Sequence, residues 1–339
     1  MNNSILTLKE NDYIIAQDCP EIKLHSNTQY CPLIYELIPA HGCSFECAYC
    51  NVYSLKEEKT YYPITVFERY PDLLRETIGR HKAMGEKPVY YFSPKTDAFQ
   101  DALIKTQITH KILQVLLEEQ VPYILVTKGK LPDDKVLGLL KESRRFGRVL
   151  VSYGMKNEFH AKILEPYAAT LDERLELATV CTKNEIPVMG IIEPILPLDD
   201  LSFVRNNFIK FVDIGVNHFA IDFARISRIC LEGLIQKLPE LGELRKIYYA
   251  EDAISQNFQT GAYYRESTER YAPSQQYHIE NFNLIKEYAE GLGATVSKCN
   301  YFMIPGLNDN AYKKGFLCFG IYDPDRANEF LARSVKGQI

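Results

Sequence analysis

The sequence predicts an α/β fold, a partial (β/α)6 TIM-like barrel of parallel strands with a C-terminal helical extension. Two observations carry this prediction. Short, almost continuous apolar runs alternate with segments of helical apolar spacing between residues 33 and 221, and such runs are typical of parallel strands covered by helices. After Asp222 the pattern changes to longer helices, followed by a tail rich in Gly, Asn and Pro.

Each predicted element is a short apolar run or a segment with helical apolar spacing. The six predicted strands are 33–39, 89–92, 123–126, 149–152, 188–192 and 218–221. The predicted helices are 66–84, 104–119, 136–143, 171–184 and 203–212, with 231–253 and 277–291 in the extension. Six strand–helix units fit a partial barrel, whose active site lies at the carboxyl ends of the strands.

The chain is predicted to have three regions: a polar arm at 1–30, the partial barrel at 31–225 and the helical extension with its tail at 226–339. Its 339 residues are 46% hydrophobic and 24% charged, which is typical of a soluble globular protein. The net charge of −5 gives no general electrostatic reason to bind a polyanion. We expect no signal peptide and no membrane span, because neither apolar pattern occurs.

Nine cysteines are present, and six of them are widely scattered, which is unlike a secreted disulfide scaffold. We therefore expect a reducing, cytoplasmic location. Cys299 and Cys318, in the tail, could be hydrogen-atom donors or ligands of a second cluster. The more common behaviour of such a cysteine is that of a small buried hydrophobe.

Three cysteines, Cys43, Cys47 and Cys50, follow the first predicted strand with the spacing C-x3-C-x2-C. Thiolates favour zinc, copper(I) and iron–sulfur clusters. A structural zinc site takes four protein ligands, and the nearest fourth candidate is His41. A cubane cluster can be held by three cysteines, which leaves one iron open to another molecule. A zinc loop or three incidental thiols is the alternative interpretation.

The cysteine spacing, with Tyr49 just before the last cysteine, resembles the cluster motif of radical S-adenosylmethionine (SAM) enzymes. The resemblance implies a [4Fe–4S] cluster on the three cysteines, with the amino and carboxylate groups of SAM on the fourth iron. It implies an electron donor such as flavodoxin or ferredoxin. It also implies cleavage of SAM to methionine and a 5′-deoxyadenosyl radical, which abstracts a substrate hydrogen; here the cofactors carry the difficult chemistry.

Further segments resemble the spore photoproduct lyase-like subgroup, which is also described as DNA-repair photolyase-like. They are 93–97, 127–128, Ser152, 164–174, 186–190 and 193–197. The resemblance implies that Lys128 pairs with the SAM carboxylate and that Ser152 hydrogen-bonds the methionyl or ribose part of SAM. The corresponding alternatives are a solvated surface lysine and a strand-end hydroxyl that binds local backbone.

The same resemblance places Thr96 and Asp97 beside polar groups of SAM or substrate, and Tyr49 beside the adenine. Asp97 could equally cap the following helix, and Tyr49 could simply pack in the core. Glu165 and Arg174 are predicted to order the loop before the helix at 171–184.

One further residue, Arg225, follows the sixth strand. It could bind an anionic substrate group or a surface carboxylate.

The chain departs from spore photoproduct lyases at Pro94. Alignment on Thr96 and Asp97 places this proline where those enzymes carry a hydrogen-donating cysteine, so a thymine-dimer lyase is disfavoured. The leading hypothesis is a radical SAM enzyme acting on a small molecule or a peptide. The alternatives are an enzyme that repairs or modifies nucleic-acid bases and, more distantly, a non-catalytic metal-binding protein.

Overall fold

The structure is a computed structural model that describes residues 6–7, 13–25, 33–50, 63–198, 200–259, 267–298, 309–315 and 323–335. Cys299 and Cys318 lie outside the described residues, so their predicted roles remain predictions. Contacts between residues divide the chain into two compact units. The first comprises residues 1–47, 56–151 and 165–188, and the second comprises 48–55, 152–164 and 189–339.

The strands that the structure describes are short, as expected for an α/β fold. They are Leu6–Thr7 (β1), Tyr13–Ala16 (β2), Lys23–Leu24 (β3), Ile34–Leu37 (β4), Ala40–His41 (β5), Ile64–Phe67 (β6), Val89–Phe92 (β7), Tyr123–Thr127 (β8), Gly147–Ser152 (β9), Val188–Ile195 (β10), His218–Phe223 (β11), Ile254–Gln259 (β12), Ser267–Ala272 (β13) and Thr295–Lys298 (β14).

The helices are Tyr70–Ala83 (α1), Asp101–Lys105 (α2), Ile108–Glu119 (α3), Asp134–Glu142 (α4), Glu158–Leu164 (α5), Leu171–Lys183 (α6), Ser202–Val212 (α7), Arg228–Lys237 (α8), Leu244–Tyr248 (α9), Gln275–Gly291 (α10), Asp309–Lys313 (α11) and Pro324–Val335 (α12). A 3-10 helix spans Pro239–Glu243. Helix α6 begins with a capping box between Thr170 and Glu173, which satisfies backbone N–H groups that the first turn leaves open.

In the first unit, β4, β7, β8 and β9 are neighbours in that order and run parallel, with β3 antiparallel on the outer side of β4. Their apolar side chains form a core in which Ile34, Phe92 and Leu125 are fully buried. Because the strands are parallel, their carboxyl ends meet at one edge. The segments that follow β4, β7 and β8 carry the cysteine loop, residues 93–97 and Lys128.

In the second unit, β10, β11 and β14 are parallel neighbours in that order. β12 and β13 form an antiparallel hairpin, and a single bridge joins Tyr271 of β13 to Ile226. The carboxyl ends of β11 and β14 lie side by side, with Ile221 opposite Lys298.

The predicted fold class is confirmed: all six predicted strands are present in a mixed α/β fold with a mainly parallel sheet. The predicted domain boundaries at residues 30 and 225 remain a prediction. The arm at 1–30 is less irregular than predicted, since β2 and β3 lie within it. The tail also contains an additional parallel strand, β14, whose sequence Thr-Val-Ser-Lys has no apolar run to reveal it.

Three predicted helices have different bounds in the structure. Residues 64–67, which include three β-branched residues, form β6, and Pro71 lies in the first turn of α1, where proline is tolerated. The helix predicted at 104–119 is interrupted before α3 at Gln107, whose φ is +61°. The helix predicted at 231–253 ends at Lys237, and Pro239 starts a 3-10 turn there because proline cannot continue a helix interior.

Candidate functional site

The cysteine loop begins directly after β5 and occupies residues 42–50. Cys43, Cys47 and Cys50 are half-buried, and none of them is in a disulfide among the described residues. Gly42 opens the loop with φ +91°, a backbone conformation that side-chain-bearing residues rarely adopt. The division between the two units falls after Cys47.

Two side chains that follow β7 hold the first part of the loop. The Thr96 hydroxyl donates to the carbonyl oxygen of Gly42 at 2.8 Å. The Gln100 side-chain oxygen accepts from the N–H of Ser44 at 3.1 Å, and its nitrogen lies 3.4 Å from the Gly42 oxygen. Sequence reasoning placed Thr96 at the site and missed Gln100, which is 56 residues from Ser44 in the chain and belongs to no recognised motif.

Asp97 is buried and binds three donors. Its carboxylate accepts hydrogen bonds from the N–H of Phe99 at 2.9 Å, the hydroxyl of Thr127 at 2.8 Å and the N–H of Lys128 at 2.8 Å. Burial raises the pKa of Asp97, and the three hydrogen bonds, which favour the ionised form, oppose that rise. Asp97 thus connects the segment after β7 to the end of β8.

Lys128 is held through its backbone on both sides. Asp97 receives its N–H, and its carbonyl oxygen accepts from the N–H of Ala169 at 3.0 Å. The carbonyl of Ala169 in turn accepts from Nε of Arg174 at 2.9 Å. Lys128 therefore has a fixed backbone at the carboxyl end of β8, from which its ammonium group extends.

Arg174 also forms a buried ion pair with Glu165, at 2.5 Å between Nη2 and Oε2, with both side chains fully buried. The pair links the two ends of the loop between α5 and α6. This agrees with the prediction that Glu165 and Arg174 order this loop. A buried guanidinium needs such a partner, because an isolated charge in the interior is very costly.

The second part of the cysteine loop is held at Ala48. Its N–H donates to the carbonyl of Leu164 at 2.7 Å. Its carbonyl oxygen lies 3.4 Å from the thiol of Cys230, which is buried in α8. Tyr49, the next residue, is buried. Sequence reasoning missed Cys230, because it lies 182 residues from Ala48 and nothing local distinguishes it from the other scattered cysteines.

Ser152, at the end of β9, is fully buried, and its hydroxyl donates to the carbonyl of Glu193 at 3.1 Å. Glu193 precedes a cis peptide bond to Pro194 in β10. A Cβ on Gly154 would lie 2.9 Å from this same Glu193 carbonyl, so the backbones approach closely here. The strand-end hydroxyl therefore binds backbone in this structure, and its contact with SAM stays a prediction.

A buried charged cluster lies at the carboxyl ends of β11 and β14. Asp222 pairs with Arg225, and Lys298 lies 3.1 Å from its other oxygen. Burial acts to raise the pKa of Asp222, but the charges of Arg225 and Lys298 outweigh burial and lower it. Burial and the charge of Lys298 lower the pKa of nearby His278 to about 3, so His278 is neutral at pH 7. Arg225 thus binds a carboxylate, as one of its two predicted alternatives states, although that carboxylate is buried.

The three cysteines offer a donor set that fits an iron–sulfur cluster: thiolates are the usual ligands of such clusters, and these thiols are half-buried rather than enclosed. Cys181 shows the contrast, since burial raises the pKa of its thiol to about 12. Among the described residues, no three His, Cys, Asp or Glu side chains form a group that could hold a metal ion. The fit therefore rests on the chemistry of the donor set.

The structure brings Thr96, Asp97 and Lys128 into one hydrogen-bonded network with the start of the cysteine loop. It places Tyr49 and Ser152 in the second unit, each with the contacts given above. The assignment of these five residues to SAM remains a prediction.

Comparison with known proteins gives the family. The model of the Radical SAM superfamily matches residues 37–205, about half of the chain. Among solved structures, a variant of spore photoproduct lyase with bound AdoMet and a dinucleoside spore photoproduct is similar, with a TM-score of 0.60 at 17% identity over 81% of this chain and 78% of that one. A second variant of that enzyme gives 0.63 at 16% identity, over 84% and 82%. No curated protein matches the sequence.

The chain belongs to the radical SAM superfamily. It is a radical SAM enzyme, its cofactors are a [4Fe–4S] cluster and SAM, and its fold is that of spore photoproduct lyase. The alternative of a non-catalytic metal-binding protein is therefore wrong. At the identities found, the structural similarity shows the fold alone. None of the helices described above has the length and hydropathy that a membrane span requires.

Proposed function

We propose that Cys43, Cys47 and Cys50 hold the cluster and that the enzyme abstracts hydrogen from a small molecule or a peptide. One observation carries the proposal: a loop with three thiols is fastened by hydrogen bonds at the carboxyl edge of the parallel strands, inside the segment that matches the family. When bound, the cluster supplies the electron for reductive cleavage of SAM to a 5′-deoxyadenosyl radical.

In this proposal Lys128 binds the SAM carboxylate. An ammonium group acts on a carboxylate as a point charge at the end of a flexible side chain. The strength of this contact therefore depends on how well the backbone of the lysine is fixed. The backbone of Lys128 is fixed by Asp97 on one side and by Ala169 on the other. Thr96 and Asp97 then act by placing Gly42 and Lys128, and Ser152 and Tyr49 bind SAM as the resemblance implies.

A small-molecule or peptide substrate is favoured over a nucleic acid because the chain is acidic overall, with a net charge of −5. The basic residues between 141 and 148 are the densest in the described barrel, yet Arg144 lies 3.9 Å from Glu185 and Arg148 is half-buried on β9. A phosphate-binding face needs several exposed cations. Pro94 also argues against repair of thymine dimers, because it stands where spore photoproduct lyases carry the hydrogen-donating cysteine.

The experiment is anaerobic reconstitution with iron and sulfide, reduction with dithionite and measurement of 5′-deoxyadenosine formed from SAM. We expect the native protein to form it and C43A, C47A and C50A each to lose it, while C181A, at a buried cysteine outside the loop, retains it. Absence of 5′-deoxyadenosine from fully loaded native protein would overturn the proposal.

Action on nucleic-acid bases is the remaining alternative. It predicts association with DNA or RNA that weakens steeply as salt is raised, because bound phosphates release counterions. Titration of a labelled oligonucleotide at two salt concentrations tests it. We expect no salt-sensitive binding.

A further inference from the structure

Gln100 is a fully buried polar side chain that contacts the cysteine loop. None of its surface is exposed, and it is the residue immediately before α2. The side-chain oxygen accepts from the N–H of Ser44 at 3.1 Å. The side-chain nitrogen lies 2.5 Å from the Thr96 hydroxyl and 3.4 Å from the Gly42 carbonyl. The donors and the acceptor of this buried amide are therefore engaged, as burial demands.

These contacts enclose one cysteine. Gly42 and Ser44 are the neighbours of Cys43, so Gln100 binds the peptide groups on both sides of that residue. The long contact to Gly42 is reinforced by Thr96, whose hydroxyl donates to the same carbonyl at 2.8 Å. With both flanking peptide groups fixed, the Cα–Cβ direction of Cys43 is fixed, and only a few staggered rotamers remain for the thiol.

We propose that Gln100 is a positioning residue for the cluster: it presets the backbone of Cys43 so that the thiolate is delivered to iron at low entropic cost. This inference rests on the proposed role of Cys43 as a cluster ligand. Residues that orient metal ligands from outside typically change metal affinity by about 10–100-fold when mutated. Hydrogen bonds to the sulfurs and solvent exposure set the electronic environment of an iron–sulfur cluster, so a shift of Cys43 is expected to alter it.

The test compares Q100L, which removes both hydrogen-bonding ends, with Q100E, which keeps an acceptor for the Ser44 N–H but puts a second oxygen beside the Gly42 carbonyl. Q114L is the control, because Gln114 is exposed on α3 and its amide binds Glu118. Each protein is reconstituted, and three quantities are measured: iron content, the rate of iron loss to a chelator, and the electron paramagnetic resonance spectrum after reduction. Thermal melting of the unloaded proteins checks the fold.

We expect iron loss to be about tenfold faster in Q100L and intermediate in Q100E, with an altered resonance spectrum in both and no change in Q114L. If Q100L does not fold, Q100E decides the question by the same measurements. Iron loss and spectra equal to those of native protein in a folded Q100 variant would overturn the inference. A native protein that takes up no cluster would instead overturn the proposed function, so the two failures are distinguishable.

Discussion

The carboxylate of Asp97, in the segment after β7, accepts a hydrogen bond at 2.8 Å from the backbone N–H of Lys128, which directly follows the neighbouring parallel strand β8. The other oxygen of Asp97 receives the N–H of Phe99 and the hydroxyl of Thr127. One buried carboxylate therefore fixes both the loop after β7 and the residue that we propose to bind SAM.

Replacement of Asp97 by asparagine tests this connection. In D97N one oxygen can still accept from Phe99 and Thr127, but the amide nitrogen then faces the Lys128 N–H, donor against donor. An unsatisfied buried donor costs about 1–3 kcal/mol, so we expect urea unfolding of the unloaded protein to show a loss of that size. The control is D101N, at a largely exposed position paired with Lys105. Equal stability of D97N and native protein would contradict the assignment.

Replacement of Lys128 by methionine tests its proposed contact with the SAM carboxylate. A hydrogen bond to a charged group is worth about 1.5–3 kcal/mol, so K128M should bind SAM at least about tenfold more weakly. Calorimetric titration of the cluster-loaded protein measures this. The matched control is K130M, because Lys130 is mostly exposed and pairs with Glu173. An unchanged dissociation constant in K128M would show that Lys128 does not bind the SAM carboxylate.

The buried pair of Glu165 and Arg174 should be far more important for stability than an exposed pair on the same helix. E165Q leaves a buried guanidinium without its carboxylate, and breaking such a pair costs about 3–5 kcal/mol. E173Q breaks the exposed pair with Lys130, which should cost less than about 1 kcal/mol. The free energies of unfolding of both variants measure the difference. Similar losses in the two would show that burial does not decide the value of these pairs.

Glu36 on β4 should make stability depend on acidic pH. Its oxygens contact His25 at 2.6 Å and Lys95 at 2.7 Å. Burial acts to raise the pKa of Glu36, but the hydrogen bond to His25 and the charge of Lys95 outweigh it, and the pKa is lowered.

Because the pKa of Glu36 is lower in the folded protein than in the unfolded one, its ionised form stabilises the fold above the unfolded pKa of about 4.3. That stabilisation is lost as the pH falls through the folded pKa. We therefore expect E36Q to be less stable than native protein at pH 7, with a difference that shrinks below about pH 4.3. Urea unfolding at several pH values measures it, with E76Q, at an exposed position on α1, as the control. A difference that does not vary with pH would contradict this account.

The six strands β4, β7, β8, β9, β10 and β11 could be predicted because each is an almost continuous apolar run, and buried parallel strands need such runs. Helix bounds were predicted less well: the predicted helix at 66–84 begins only at Tyr70, because residues 64–67 form β6, and the one predicted at 231–253 ends at Lys237, just before Pro239. Strand β14 was missed because its pairing with β11, not its own composition, buries it.

The candidate site likewise has a part that the sequence indicates and a part that only the fold reveals. The spacing of Cys43, Cys47 and Cys50 is local, so the sequence indicates the cluster loop directly. Gln100 and Cys230 act on that loop from 56 and 182 residues away, through contacts that only the fold creates. No local pattern distinguishes either residue from others of its type.

The central claim is that three cysteines hold a cluster that has one iron open to SAM. Electron paramagnetic resonance of the dithionite-reduced, reconstituted protein, recorded with and without SAM, tests it most directly. We expect a [4Fe–4S] signal that changes on addition of SAM and that is lost in C43A, C47A and C50A. A native protein without that signal, or a signal that SAM leaves unchanged, would contradict the claim.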